Sequence, residues 1–125
     1  MPTFTRQERL KSQKAISALF KGGQSYVAYP MRVVWTDAPP HLAAMSRIQV
    51  VITVPKRVFK TAVARNRIKR QIREAFRLQK DALQQKLVDA DQHISLMLGY
   101  IAKEPLPYAE ISAGVEKMIR KFPGR

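Results

Sequence analysis

The amino-acid sequence predicts an α+β fold in which three helices pack on a small sheet. Three observations carry this reading. The chain has 125 residues, 46% of them hydrophobic, which suits one compact core and leaves no room for a second. Residues 31–36 and 47–54 have the composition and alternation of strands, and a mostly apolar run at 93–103 has that of a buried one. Apolar residues at spacings of three and four mark a helix before these strands, one between them and one after them.

The elements follow in order. A capping-box pattern at Thr5 to Glu8 is weak because polar residues follow it, and Ser12 is the better helix start. Ala15, Ile16, Leu19 and Phe20 then fall at helical spacing, and Gly22-Gly23 is read as a left-handed stop. MRVVWT (31–36) begins after Pro30 as a β-rich run, whereas the two prolines of DAPPHLAAMS (37–46) forbid a central strand and make it a loop. In RIQVVITV (47–54), Ile48, Val50, Ile52 and Val54 share one face and Gln49, Val51 and Thr53 the other. Pro55 withdraws a ladder donor at the end of this strand, and the basic loop KRVFKTAVA (56–64) leads on. From about Ala62 the period becomes helical, with Ile68, Ile72, Ala75, Phe76 and Leu83 gathered within roughly 100° of arc. A polar break at Asp89 to Gln92 precedes the strand HISLMLGYIAK (93–103), which Pro105 and Pro107 end. Ile111, Val115, Met118, Ile119 and Phe122 form the apolar stripe of a last helix despite Gly114.

Charge is concentrated. The net charge is +14, and between Lys56 and Lys80 ten basic residues face Glu74 alone. On the helical wheel Lys69, Arg73, Arg77, Arg70 and Arg67 span the side opposite the apolar stripe. Residues three and four apart have Cβ atoms about 5–6 Å from one another, a spacing comparable with that of successive phosphates. Arg65 falls outside this ladder and reaches a partner only from the open first turn of the helix. A solvated charged helix usually alternates signs, and this one does not. The pattern therefore points to a polyanion whose displaced counterions drive association. An anionic membrane is the other polyanion to weigh. A DNA reader is disfavoured, because Asn66 and Gln71 are the only amides among the arginines that could read base edges.

Protein-borne catalysis has little to work with. Cysteine is absent, which removes disulfides, thiolate nucleophiles and thiolate metal sites. Neither His41 nor His93 has metal-ligand spacing, Asp89 and Asp91 read as a polar linker, and no glycine-rich phosphate loop opens a helix. The catalytic groups are expected from a partner. No apolar run suits a signal peptide or a spanning helix, so a cytoplasmic chain with no membrane and no small-molecule substrate is expected. Phe20 and Trp35 could stack on unpaired bases or could be core, and the residues alone leave both open.

At ARNRIKRQIREAFR (64–77) the sequence resembles the protein subunit of bacterial ribonuclease P. Arg65-Asn66-Arg67, Ile68-Lys69-Arg70, Arg73-Glu74 and Phe76-Arg77 match the RNR, IKR, RE and FR groups of that family, and RLKSQKAISALFKGGQSY (9–26) and RIQVVITVPKR (47–57) extend the likeness. The resemblance implies one RNA-binding domain over residues 1–125, with three helices on a four-stranded sheet and a left-handed crossover, a ribosomal protein S5 domain 2-like fold. It implies a subunit that binds the catalytic RNA and the 5′ leader of precursor tRNA and assists endonucleolytic 5′ maturation. The RNA performs the hydrolysis with magnesium (Mg2+) that it holds itself, and no protein residue is catalytic. By position, Lys56, Arg57, Arg65, Asn66, Arg67, Lys69, Arg70, Arg73 and Arg77 are the implied contacts to RNA and phosphate. Ile16, Phe20, Trp35, Val51 and Thr53 are the implied leader cleft, with Phe20 and Trp35 as stacking walls. The chain departs from the family at Ile16, where a second Phe is usual, at Trp35 for Tyr or Phe, at Val51 for Gly and at Pro55-Lys56-Arg57 for Ser-Lys-Lys. The rival reading is a ribosome-associated structural RNA-binding protein of similar fold, which leader discrimination would separate.

Overall fold

The computed structural model describes residues 13–39 and 46–123, with side chains from Ile16 onward. Thr5 to Glu8, Ser12 and His41 lie outside the described residues. The elements are α1 (Gln13–Gly22), β1 (Gln24–Ala28), β2 (Met31–Asp37), β3 (Ile48–Thr53), α2 (Ala62–Asp89), β4 (Ile94–Tyr100) and α3 (Tyr108–Lys121). They build a four-stranded mixed sheet in the order β1-β2-β4-β3. The pairs β1/β2 and β2/β4 are antiparallel, and β3/β4 is parallel. A parallel pair needs a long crossover, and α2 supplies it. β1 is the strand that periodicity does not announce, because Gln24-Ser25-Tyr26-Val27-Ala28 is short and half polar.

The register divides the sheet into two faces, since residues directly opposed across a ladder point the same way. Trp35, Leu96 and Val50 form one row, and Val33, Leu98 and Ile52 the next. This face joins α2 and α3 in the main core. Val34, Met97 and Val51 form a row on the opposite face, where Leu19 of α1 packs on Val34 and Met97, with Ile16 and Val51 at the margin.

Helix α2 buries Ile68, Ile72, Ala75, Phe76, Leu83 and Leu87, and burial of a large apolar side chain contributes about 1.5–3 kcal/mol. Its start is set by Thr61, whose Oγ1 accepts from the Ala64 N–H at 3.2 Å. Its end is a Schellman motif built on a residue other than glycine. Asp91 sits at φ 49°, its N–H donates to the Val88 carbonyl at 3.1 Å, and the Gln92 N–H donates to that of Leu87 at 2.8 Å. Lys80 also lies on the buried side of α2, which takes it out of the exposed basic face.

Two glycines differ from their sequence reading in an informative way. Neither Gly22 nor Gly23 has a left-handed backbone, and α1 runs through Gly22. Gly23 is needed for close approach: a Cβ there would sit 2.5 Å from the Leu19 carbonyl oxygen and 2.8 Å from Val34 Cγ1. In α3, a Cβ on Gly114 would lie 2.6 Å from Pro30 Cδ and 2.9 Å from the Tyr29 carbonyl oxygen. The helix tolerates a poor helix former because its backbone must touch the β1–β2 turn.

The helices α2 and α3 are tied by polar links as well. Gln79 Nε2 donates to the Ser112 carbonyl at 3.1 Å. Lys86 Nζ donates to the carbonyls of Ile119, Arg120 and Phe122 at 2.7, 3.0 and 3.3 Å, capping the end of α3. Tyr26 Oη of β1 donates to the Met118 carbonyl at 2.8 Å, and burial pushes its phenol well above the usual range.

Two outcomes follow. Gly114→Ala should lower stability by up to about 2 kcal/mol in denaturant unfolding, because overpacking of about 1–3 kcal/mol against the turn outweighs a helix-propensity gain of about 1 kcal/mol; a stabilised variant would contradict the close approach. Tyr26→Phe should cost about 1 kcal/mol at neutral pH. Since the folded phenol titrates above the unfolded value of about 10, its contribution is fully present below that pH and is lost as pH rises further. The variant should therefore lose less stability than the parent on going from pH 9 to pH 11.

Candidate nucleic-acid interface

The basic surface is built from a turn and the first half of α2. After β3, the Pro55 carbonyl accepts from the N–H groups of Val58 and Phe59 at 3.3 and 3.0 Å. Phe59 plugs this turn into the core, its ring 5.7 Å from that of Tyr100. Burial of Phe59 leaves Lys56, Arg57 and Lys60 exposed on the outside. The Arg65 guanidinium then ties helix to turn, donating from Nη1 to the Phe59 carbonyl at 2.7 Å.

Along α2, the buried stripe forces the cations outward. Asn66, Arg67, Arg70 and Arg73 are exposed and Lys69 is half-buried. Among the described residues, no carboxylate pairs with Arg67, Lys69, Arg70 or Arg73. Arg77 differs. Its Nη2 and Nε donate to Glu74 at 2.6 and 3.0 Å, and this hydrogen bond holds the Glu74 carboxyl below its usual range and the Arg77 guanidinium above its own. The ladder predicted from spacing is present, with its last rung engaged internally.

The predicted cleft divides. Ile16, Val51 and Thr53 are half-buried between or beside α1 and the sheet face it covers, and Phe20 is 67% exposed on α1. Trp35 is a correction. It is 6% exposed and packs in the main core with its ring 4.9 Å from Phe122. Strand alternation puts it on the opposite side of the sheet from its neighbour Val34, which meets α1. Trp35 therefore cannot wall a cleft beneath α1.

Sequence reasoning missed two features. Arg32 is exposed on the α1 side of the sheet in a row with Gly99 and Thr53, and its parity with Val34 in MRVVWT was the available signal. Tyr108, the first residue of α3, is 37% exposed and closes a hollow of about 350 Å³ with Arg67, Arg70, Gln71 and Glu74 of α2. Nothing in the local sequence pairs these residues, because the packing of α3 on α2 brings them together.

A sequence profile of the family described as Ribonuclease P matches residues 4–122. The chain belongs to the ribonuclease P protein family. It is 31% identical over 125 residues to the ribonuclease P protein component of Porphyromonas gingivalis, covering 98% of this chain and 90% of that one. It is 35% identical over 124 residues to the component from Chlorobaculum tepidum, covering 94% and 80%. Among solved structures, the ribonuclease P protein of Thermotoga maritima superposes with a TM-score of 0.72 at 20% identity, over 94% of this chain and 99% of that one. That of Staphylococcus aureus superposes with a TM-score of 0.70 at 20% identity, over 90% and 93%. The ribonuclease P fold is thus kept where most residues differ.

The two aromatic side chains should separate in a stability measurement. Trp35→Ala is expected to cost about 3–5 kcal/mol as a core truncation, and Phe20→Ala to stay within about 0.5 kcal/mol as a surface change. Equal losses in denaturant unfolding would contradict this assignment of faces.

Proposed function

We propose that this chain, the protein subunit of ribonuclease P, assists tRNA 5′ maturation by holding RNA rather than by supplying reacting groups. The observation that carries the reading is the row Arg67, Lys69, Arg70 and Arg73, anchored from behind and without carboxylate partners among the described residues. In this reading the row and the exposed Lys56 and Arg57 lie along phosphates of the catalytic RNA. Arg65 positions the turn that carries Lys56 and Arg57, and its remaining N–H groups extend the surface. Asn66 adds a neutral donor and acceptor beside the row. Arg77, held by Glu74, contributes less than its charge suggests.

Phosphate contacts of this kind position a partner without reading sequence. Their strength comes from counterion release, and a rigid helix surface fixes the spacing before binding, so little ordering is required on association. Fixed placement of the RNA is what such a subunit can offer to catalysis.

The leader of precursor tRNA is assigned to the α1 side of the sheet, along Ile16, Phe20, Val51 and Thr53. Trp35 is removed from that set, and Arg32 joins it as a cation on the same face. With Ile16 in place of an aromatic, Phe20 is the one aromatic of the assigned set left to stack on a base, so leader contact relies more on polar and ionic groups. Magnesium belongs to the RNA in this reading. Glu74 is the only acid between residues 56 and 80 and is already held by Arg77. Among the described residues no three His, Cys, Asp or Glu side chains gather as a metal cage. No step is therefore assigned to a divalent cation on the described residues of the protein.

Added to the catalytic RNA, the purified chain should allow cleavage of precursor tRNA at low magnesium, where the RNA alone is slow; absence of stimulation would sink the reading. Charge reversal at Arg70 and Arg73 together should lower the slope of log K against log [salt] for RNA binding by roughly 2, about 1 per phosphate contact. An unchanged slope would place the RNA elsewhere.

A further inference from the structure

The hollow closed by Tyr108 has a composition unlike the phosphate-binding row beside it. Arg70 and Gln71 lie three and four residues after Arg67 and four and three before Glu74, which places all four on one edge of α2, and Tyr108 at the start of α3 forms the facing wall. Its volume of about 350 Å³ lies at the small end of ligand sites. Such a mixture of groups suits neither a bare phosphate nor an apolar side chain. Glu74 repels an anion at its end of the hollow, and Arg77 holds that carboxylate at 2.6 Å so that it remains ionised and fixed. Two guanidinium groups at the other end exclude an apolar plug. What the set does match is a flat heterocycle with polar edges: an aromatic face to stack on, an amide that both donates and accepts, and a carboxylate that accepts from an exocyclic amino group.

We infer that Tyr108, with Gln71 and Glu74, forms a pocket for one unstacked, amino-bearing nucleobase of the RNA docked on α2, while Arg67 and Arg70 hold the phosphates on either side of that nucleotide. This rests on the proposed RNA interface and goes beyond it, because it adds a contact to a base, and with it a preference for adenine, cytosine or guanine over uracil, to a surface that otherwise reads only backbone. Stacking of a base on an aromatic platform is a neutral contact, so it contributes affinity without releasing counterions. Tyr108 therefore differs from its arginine neighbours in how its loss depends on salt.

The test measures binding of the full chain to the catalytic RNA of ribonuclease P over a salt series. Tyr108→Ala should weaken binding on the order of tenfold with the salt slope unchanged, and Tyr108→Phe, which keeps the ring, should bind within about twofold of the parent. Arg73→Gln, outside the pocket, serves as the reference and should reduce the slope by about 1. If Arg73→Gln reduces the slope and Tyr108→Ala binds like the parent, the pocket is overturned and the interface stands. If neither variant changes anything, the interface itself fails. Equal losses in Tyr108→Ala and Tyr108→Phe would assign the contact to the hydroxyl and overturn stacking. Should Tyr108→Ala unfold, Tyr108→Trp carries the test: its emission, after subtraction of the parent's buried Trp35, should be quenched by the RNA, and unquenched emission would overturn the pocket.

Discussion

Burial of one stripe of α2 is the constraint from which the other features follow. Ile68, Ile72, Ala75, Phe76, Leu83 and Leu87 fix the helix about its own axis as well as along it. Six large or small apolar residues at three- and four-residue spacing leave a single rotation that buries them all. Once that rotation is set, Arg67, Arg70 and Arg73 have no choice but solvent. Like charges so close repel one another, and the core on the far side supplies the free energy that keeps them in register.

The same logic explains why the interface is made of a helix and a turn together. Phe59 is inserted beside Tyr100, so the turn cannot move independently of the sheet. Arg65 then joins the turn to α2 through the Phe59 carbonyl. A residue that matches an RNA-binding motif by position thus has a structural task visible in its hydrogen bond. Both roles are compatible, since a guanidinium carries five donors and this bond uses one.

How far the sequence discloses all this depends on whether a residue's surroundings are local. The start of α2 at Ala62, its core stripe and its break near Asp89 are set by spacing within the segment, and they are readable from it. The composition of α3 is equally plain. Trp35 is different: Met31, Val33 and Trp35 make one parity of MRVVWT wholly apolar, while Arg32, Val34 and Thr36 make the other mixed, and alternation alone does not say which of the two sides meets α1. Gly23 and Gly114 announce small residues but not their reason, which is the approach of backbone from another element. Asp91 in a left-handed C-cap breaks the usual glycine signal. Tyr108 lies far along the chain from the arginines it faces, and only the docking of α3 on α2 brings it there.

Lys86 illustrates a wider point about a chain of net charge +14. Its ammonium group is enclosed by three carbonyls at the end of α3, Lys80 is buried, Arg77 neutralises Glu74 and Arg65 is partly occupied. A census of basic residues therefore overstates the number of cations free to make direct contact with a partner. What a polyanion senses is the smaller, directional subset left over after the protein has used some of its cations as internal fasteners.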